Sequence, residues 1–172
     1  MKSTEVYSSL KLHLGPVLKA LGFKRGRSLL SWHREHDGQF TVLWCQVSLD
    51  GWDSYAGSKF TVEVQRSTEP EPGAPSTRRQ RIGQLLSNDQ REVVHQIQNG
   101  ILSSLRRPPK DNAIFKISPE VTEWYLSQFN SIESPYAERD DVWLRYAARE
   151  DVETWGTLLA SFVPQFILVV EK

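Results

Sequence analysis

A β-hairpin is encoded by residues 30–45, which read LSWHREHDGQFTVLWC. Asp37-Gly38 separates two strand-like runs, and this dipeptide tolerates the positive φ angles of a two-residue type I′ turn. With these two residues as the loop, the predicted pairs across the hairpin are His36 with Gln39, Trp32 with Leu43, and Leu30 with Cys45. One face of the hairpin is then apolar throughout.

The opposite face of the hairpin, called the mixed face below, combines aromatic and polar side chains. Its members are Ser31, His33, Glu35, Phe40, Val42, Trp44 and Gln46. Two alternatives follow from this composition. Either the face binds a ligand or partner, or one of the C-terminal helices covers it, which makes Trp44 ordinary core and Gln46 a satisfied buried amide.

Regular apolar spacing predicts the elements next to the hairpin. Residues 4–21 carry a helical stripe, Pro16 is expected to kink that helix, and Gly22 is expected to end it. A loop rich in Gly, Asp and Ser covers residues 50–58, and the alternation of Phe60, Val62 and Val64 predicts the third strand of a meander. Residues 68–75 contain three prolines and are expected to form an exposed loop.

The C-terminal half is predicted to be mostly helical. Residues 80–86 form a short helix, and a longer one begins at the capping box Ser87-Asn88-Asp89-Gln90 and stops before Pro108-Pro109. Ser118-Pro119 begins another helix. Its inward-facing residues are predicted to be Val121, Trp124, Tyr125 and Phe129. A fourth strand is predicted over residues 140–146 and a last helix over 150–170, bent at Pro164.

These elements predict a single α+β domain over residues 1–172. A small antiparallel sheet, made of a three-stranded meander and a fourth strand near the C-terminus, is packed by N-terminal, central and C-terminal helices. A chain of 172 residues buries roughly 70% of its unfolded surface on folding, so it forms a core without disulfides.

Composition narrows the classes of function. The chain has one cysteine and no apolar run of the ~20 residues that cross a bilayer, and its first residues are unlike a secretory signal. We therefore expect a cytoplasmic protein without a membrane partner. Lys plus Arg and Asp plus Glu both number 21, so no overall field attracts nucleic acid.

Short motifs are scattered along the sequence in a recognisable order. They are Leu18-x-x-Leu21-Gly22-Phe23-Lys24, Trp32-x-Arg34, Gln46-x-Ser48, Phe60-x-Val62-x-Val64, Asp141-x-Trp143-Leu144-Arg145-Tyr146 and Asp151-Val152-Glu153-x-Trp155. The pattern spans most of the chain and resembles the bacterial domain-of-unknown-function family numbered four-three-zero-four. The resemblance implies a compact α+β domain with helices at both ends and a small antiparallel sheet between them. It implies no reaction and no site residues.

Candidate chemistry near the hairpin is limited. His33 and His36 are three residues apart on a strand and point to opposite faces, so no metal site is predicted there. Cys45 belongs to the apolar face, where a buried inert thiol is expected. The common phosphate-loop, nucleophile-elbow, zinc-protease and dinucleotide-binding motifs are absent from the sequence, and no cofactor is predicted.

Two candidate surfaces are predicted. The first combines the mixed face with a neighbouring loop and consists of Trp44, Gln46, His33, Trp52 and Tyr55. The second is the arginine cluster Arg78, Arg79 and Arg81, which Arg106 and Arg107 can extend and which could contact phosphates. The neutral net charge argues against nucleic-acid binding, and solvated cations at helix ends are the alternative for these arginines.

Three classes of function are weighed. The leading hypothesis is a non-enzymatic binding or protein-interaction domain, one form of which is an immunity-type protein that neutralises a bacterial toxin. The alternative is a small hydrolase or nuclease that uses His33 with Glu35 or Glu63. The third is a structural or oligomerising domain without a ligand. The sequence does not fix the partner or the oligomeric state.

Overall fold

The computed structural model describes residues 1–28 and 30–172. Six strands and five α-helices lie in these residues. In chain order they are α1 (Ser3–Ala20), β1 (Lys24–Arg25), β2 (Leu30–His36), β3 (Gln39–Val47), β4 (Ser58–Ser67), β5 (Ser76–Arg81), α2 (Ile82–Leu85), α3 (Asn88–Ser104), α4 (Pro119–Ser127), β6 (Leu144–Tyr146) and α5 (Arg149–Glu171). A 3₁₀ turn at Ala113–Lys116 precedes α4.

One antiparallel sheet contains all six strands and confirms the predicted α+β class. Its main order is β1-β2-β3-β4-β5, and β6 pairs with the first part of β4, on the edge that β5 also uses. The predicted meander corresponds to β2, β3 and β4, and the predicted fourth strand corresponds to the shorter β6. The sheet therefore has two strands, β1 and β5, that the sequence pattern did not predict.

The hairpin between β2 and β3 has the predicted register. His36 pairs with Gln39, Trp32 with Leu43 and Leu30 with Cys45. Asp37 and Gly38 have φ angles of 52° and 70°, as a type I′ turn requires. Local turn chemistry and two-residue alternation were therefore sufficient to fix this part of the sheet.

The core lies between the apolar face of the sheet and the two terminal helices. The stripe of α1 is buried, as are the inward residues of α5, and the two helices pack against each other and on the sheet. The largest fully buried side chains include Leu10, Leu14, Leu30, Leu43, Phe60, Trp155, Leu159 and Phe166. Burial of this continuous apolar surface is the main term that stabilises the fold.

Two local predictions are wrong. Residues 76–81, which read STRRQR, form the edge strand β5, so the short helix begins at Ile82 and not at residue 80. β5 is an edge strand with one neighbouring strand along its length, and its sequence has no apolar alternation. Its sequence pattern is therefore the same as that of a polar loop. Trp124 is predicted to face inward but is 51% exposed, because α4 lies at the surface and Tyr125 is the one residue of this helix that is buried.

Helix α5 has the length and hydropathy of a membrane span, with a mean hydropathy of 1.3 over its best window. Length and composition alone are weak evidence, because a buried core helix has the same properties. Nine of its 23 residues are buried in the protein, among them Trp155, Leu159 and Phe166. Its apolar stripe is therefore already packed against α1 and the sheet.

Candidate functional site

Two loops fold across the mixed face of the hairpin. The amide of Gln65 donates to the Glu71 carbonyl oxygen (2.8 Å) and its oxygen accepts from Gly73 N (3.1 Å), which fixes the proline-rich loop over β4. Ser28 Oγ donates to Glu71 Oε2 (2.9 Å) and joins this loop to the one before β2. Contacts from these two loops thus account for part of the burial of this face.

Trp44 is at the centre of the mixed face and is only 2% exposed. The Arg79 guanidinium lies 5.2 Å from the centre of its ring. Glu63, directly opposite Trp44, is fully buried and accepts hydrogen bonds from Arg79 Nε (2.6 Å) and Arg81 Nε (3.2 Å). A buried carboxylate requires such paired donors, so these two arginines are used within the protein.

Arg81 also links the sheet to the segment before β6. Its Nη1 donates to Asp141 Oδ1 (2.6 Å), and Trp143 Nε1 donates to Asp141 Oδ2 (3.0 Å). The hydrogen bond to Asp141 is the main reason that the pKa of Arg81 is raised. Burial alone would raise the pKa of Asp141, but its bonds from Arg81 and Trp143 lower it.

The predicted arginine cluster does not form one surface. Arg79 and Arg81 lie on the mixed face, whereas strand alternation places Arg78 on the opposite face, across from Arg66. Arg106 and Arg107 are exposed and lie beyond the end of α3. Nucleic-acid contact through a single basic patch therefore gains no support from this arrangement.

The residues of the predicted hydrolase site are apart. His33 and Glu63 lie on β2 and β4, with β3 between them, so their backbones are on the order of 10 Å apart. Glu35 is exposed, two residues along the strand from His33. His33 Nδ1 is buried without a hydrogen-bond partner among the described residues, and its ring packs edge-on to Phe40 at 6.0 Å.

Cys45 is fully buried in the apolar core, as predicted. Burial raises the pKa of its thiol to about 12, which keeps it protonated at neutral pH. Across residues 1–28 and 30–172, no three His, Cys, Asp or Glu side chains are grouped so as to hold a metal ion.

The predicted loop residues Trp52 and Tyr55 lie at the far end of the sheet, against α4. Asp53 Oδ1 accepts from Tyr55 N (2.8 Å), Ala56 N (2.7 Å) and the Tyr125 hydroxyl (2.7 Å), which ties the loop to α4. Burial alone would raise the pKa of Asp53, but these hydrogen bonds lower it. Trp52 Nε1 donates to the Ala147 carbonyl oxygen (3.2 Å) and anchors the loop to the start of α5.

A pocket of about 240 Å³ opens between this loop, α4 and β6, and we call it the loop–helix pocket. Residues from all of these elements line it, among them Asp50, Lys59, Ile114, Trp124, Gln128 and Arg145. One wall is apolar and aromatic, and the other carries two cations. Such a combination of apolar wall and few polar groups is typical of ligand sites.

The two cations face each other directly. Lys59 on β4 pairs with Arg145 on β6. Lys59 Nζ lies 3.3 Å from Asp50 Oδ2 and 5.7 Å from the centre of the Trp143 ring. The Arg145 guanidinium donates to the amide oxygen of Gln128, and no carboxylate of the described residues forms an ion pair with it. Burial lowers the pKa of Arg145.

Exposed apolar side chains are concentrated around this pocket. Four of the seven large apolar residues found exposed in the described part of the chain lie in its loop and next to or on α4: Leu49 (97%), Trp52 (40%), Ile117 (63%) and Trp124 (51%). Exposed apolar side chains grouped in neighbouring segments indicate an interaction site on a folded protein. We refer to these four residues as the apolar rim.

The five residues predicted to form one surface lie in two neighbouring parts of the structure. Trp52 and Tyr55 belong to the loop beside the pocket, whereas Trp44, Gln46 and His33 lie on the mixed face. Sequence reasoning did not identify Lys59, Trp124 or Arg145 as site residues. A weak signal was present for Arg145, because alternation placed it opposite the buried side chains of Leu144 and Tyr146.

Comparison with models of known protein families finds no match, and comparisons with curated proteins and with solved structures find none of significance. The resemblance to the family numbered four-three-zero-four thus stays a prediction.

Proposed function

We propose that the protein is a non-enzymatic binding domain that holds a protein or small-molecule partner at the loop–helix pocket. The carrying observation is the apolar rim around a pocket that contains Arg145, a cation that forms no ion pair with any carboxylate in the described part of the chain. Exposed Trp and half-buried Arg side chains are the residue types that contribute most to binding energy at interfaces.

The rim explains why a partner is expected here and not elsewhere on the surface. Leu49 is almost fully exposed, and it lies between two residues that line the pocket, Ser48 and Asp50. Leaving an apolar side chain of this size in water forgoes roughly 1.5–3 kcal/mol that its burial would provide. A partner that covers Leu49 and Trp124 together would recover part of that free energy on binding.

A protein partner would make the domain an interaction module, and an immunity-type protein that neutralises a bacterial toxin is one form of it. The pocket suits such a role because an apolar rim and a small central cavity accept one anchoring side chain of a partner. The toxin-binding form predicts one discrete partner at fixed stoichiometry.

Site-directed photo-crosslinking tests the proposal. A photoreactive amino acid replaces Leu49 in one variant and, as the matched control, Leu168 in another, because Leu168 is also exposed (60%) but lies near the end of α5. Leu168 lies about 29 Å along α5 from Arg149, the first residue of that helix. In the native host, the Leu49 variant is expected to give a discrete adduct of defined mass and the Leu168 variant none. Equal labelling at both positions would contradict the proposal, and the absence of an adduct at Leu49 would contradict its protein-partner form.

A further inference from the structure

We infer that the loop–helix pocket binds a carboxylate carried on a small planar apolar group, with Arg145 as the residue that receives the carboxylate. The inference rests on the proposed function, because it assumes that this pocket is a binding site. It adds the chemical class of the ligand, an aromatic monocarboxylic acid.

The cross-strand pair of cations is the first observation. Like charges directly opposite each other in a sheet are destabilising, yet Lys59 and Arg145 occupy such positions on β4 and β6. Asp50 compensates Lys59 at 3.3 Å. Among residues 1–28 and 30–172, the side-chain acceptor of the Arg145 guanidinium is the neutral amide oxygen of Gln128, so its positive charge is left to attract an anion.

The guanidinium geometry favours a carboxylate. Arginine presents a planar fork of donors that matches the two oxygens of a carboxylate, and such bidentate hydrogen bonds are about twice as strong as neutral ones. The partial burial that lowers the pKa of Arg145 also removes water that would otherwise screen the pair.

The charged residues of the pocket favour a ligand with one negative charge over a ligand with two. Lys59 and Arg145 supply two positive charges, and Asp50 and Asp53 supply two negative ones in the same lining. A monoanionic carboxylate neutralises Arg145, whereas a phosphate with nearly two charges is repelled more strongly by both aspartates.

The volume and the walls of the pocket determine which group can carry the carboxylate of the ligand. Its volume of about 240 Å³ is below the roughly 300 Å³ at which pockets for drug-sized molecules begin, so it fits one small ring or one side chain. Trp124 and Ile114 provide the apolar wall. An aromatic ring stacked on Trp124 would place its carboxylate toward Arg145.

Titration of the intact ¹⁵N-labelled protein with benzoate tests the inference, with nuclear magnetic resonance signals of the Trp124 indole and the Arg145 Nε–H as readout. Benzamide, which is isosteric but neutral, is expected to bind at least about tenfold more weakly, because it cannot form the charge-assisted pair. Inorganic phosphate is expected to bind more weakly than benzoate. Benzamide binding as tightly as benzoate, or phosphate binding more tightly, would overturn the inference.

Variants separate Arg145 from the rest of the surface. Arg145→Met is expected to weaken benzoate binding at least about tenfold, and Arg145→Lys less, because it keeps the charge and loses the fork. Arg149→Met is the matched control, since Arg149 is exposed and pairs with Glu153 outside the pocket. Circular dichroism confirms that each variant is folded, and Arg145→Lys keeps the test valid if the methionine variant unfolds.

Failure of the carboxylate inference and failure of the proposed binding function give different experimental results. If benzoate causes no shift at Trp124 up to tens of millimolar, or if Arg145→Met binds it as well as the parent protein, the carboxylate inference is wrong. A discrete crosslink at Leu49 would in that case still support the binding domain. Absence of the crosslink together with saturable, Arg145-dependent benzoate binding would contradict only the protein-partner form of the proposal.

Discussion

Gly57 shows how a single residue controls the approach of two strands. It has a φ angle of 67°, follows the turn at residues 54–56 and directly precedes β4. A Cβ atom at this position would clash with the Tyr146 carbonyl oxygen and lie 3.0 Å from its carbon and 3.1 Å from Ala147 Cα. The absence of a side chain therefore allows β6 to lie against β4, which places Arg145 opposite Lys59.

Gly57→Ala is expected to lower the free energy of unfolding by about 3 kcal/mol, because left-handed backbone strain adds to a clash with rigid backbone atoms. Gly51→Ala is the matched control. Gly51 also has a positive φ angle, 80°, but its added Cβ meets no atom within 4 Å, so a loss of only about 1–2 kcal/mol is expected. Urea unfolding measures both variants, and equal losses would contradict the role assigned to Gly57.

At the scale of elements, the edge strand β5 is attached to the sheet by charge as well as by backbone hydrogen bonds. Its residues Arg79 and Arg81 enclose the buried carboxylate of Glu63 on β4. The outer charges on such a strand also discourage pairing with other chains. Two of the arginines that the sequence suggested for phosphate contact, Arg79 and Arg81, are thus held by an ion pair within the sheet.

Glu63→Gln is expected to lower the free energy of unfolding by about 1–2 kcal/mol, since a neutral amide replaces a buried charge that accepts from two guanidinium groups. The exposure of both arginines, 47% and 35% of their side chains, reduces the effect through solvent screening. Asp141→Asn removes an exposed carboxylate from the same Arg81 and should cost less than about 1 kcal/mol. A larger loss for Asp141→Asn than for Glu63→Gln in chemical denaturation would refute this account.

At the scale of the whole molecule, the end of α5 is tied to the first hairpin. Arg34 Nη2 and Nε donate to the two carboxylate oxygens of Glu171 (2.5 and 3.0 Å), and Thr41 Oγ1 donates to one of them (2.7 Å). Arg34 also donates to the Leu21 carbonyl oxygen (2.7 Å), after the end of α1. One arginine thereby joins both terminal helices to the sheet.

This tie predicts a dependence of stability on pH. Burial alone would raise the pKa of Glu171, but the hydrogen bonds from Arg34 and Thr41 and the charge of Arg34 lower it below its ordinary value. A lowered folded-state pKa means that the stabilisation is present above the ordinary value and is lost as the pH falls through the folded-state pKa. Glu171→Gln should therefore be destabilised relative to the parent protein at neutral pH.

The difference between Glu171→Gln and the parent protein should shrink as the pH is lowered through the acidic range. Urea unfolding at a series of pH values measures it. Glu153→Gln is the control, because Glu153 pairs with Arg149 in an exposed setting and should change stability by about 0.5 kcal/mol or less. A Glu171→Gln difference that stays constant with pH would show that the carboxylate charge is not the source of the stabilisation.

The sequence by itself determined the elements whose signals are local. The Asp37-Gly38 turn fixed the hairpin register, and the apolar stripes gave α1, α3 and α5, because these patterns depend only on neighbouring residues and on the periods of strand and helix. Only the tertiary structure decided that β5 is a strand, that Trp124 faces solvent and that Lys59 lies opposite Arg145. Those features depend on contacts between residues far apart in the chain, and no local period encodes such contacts.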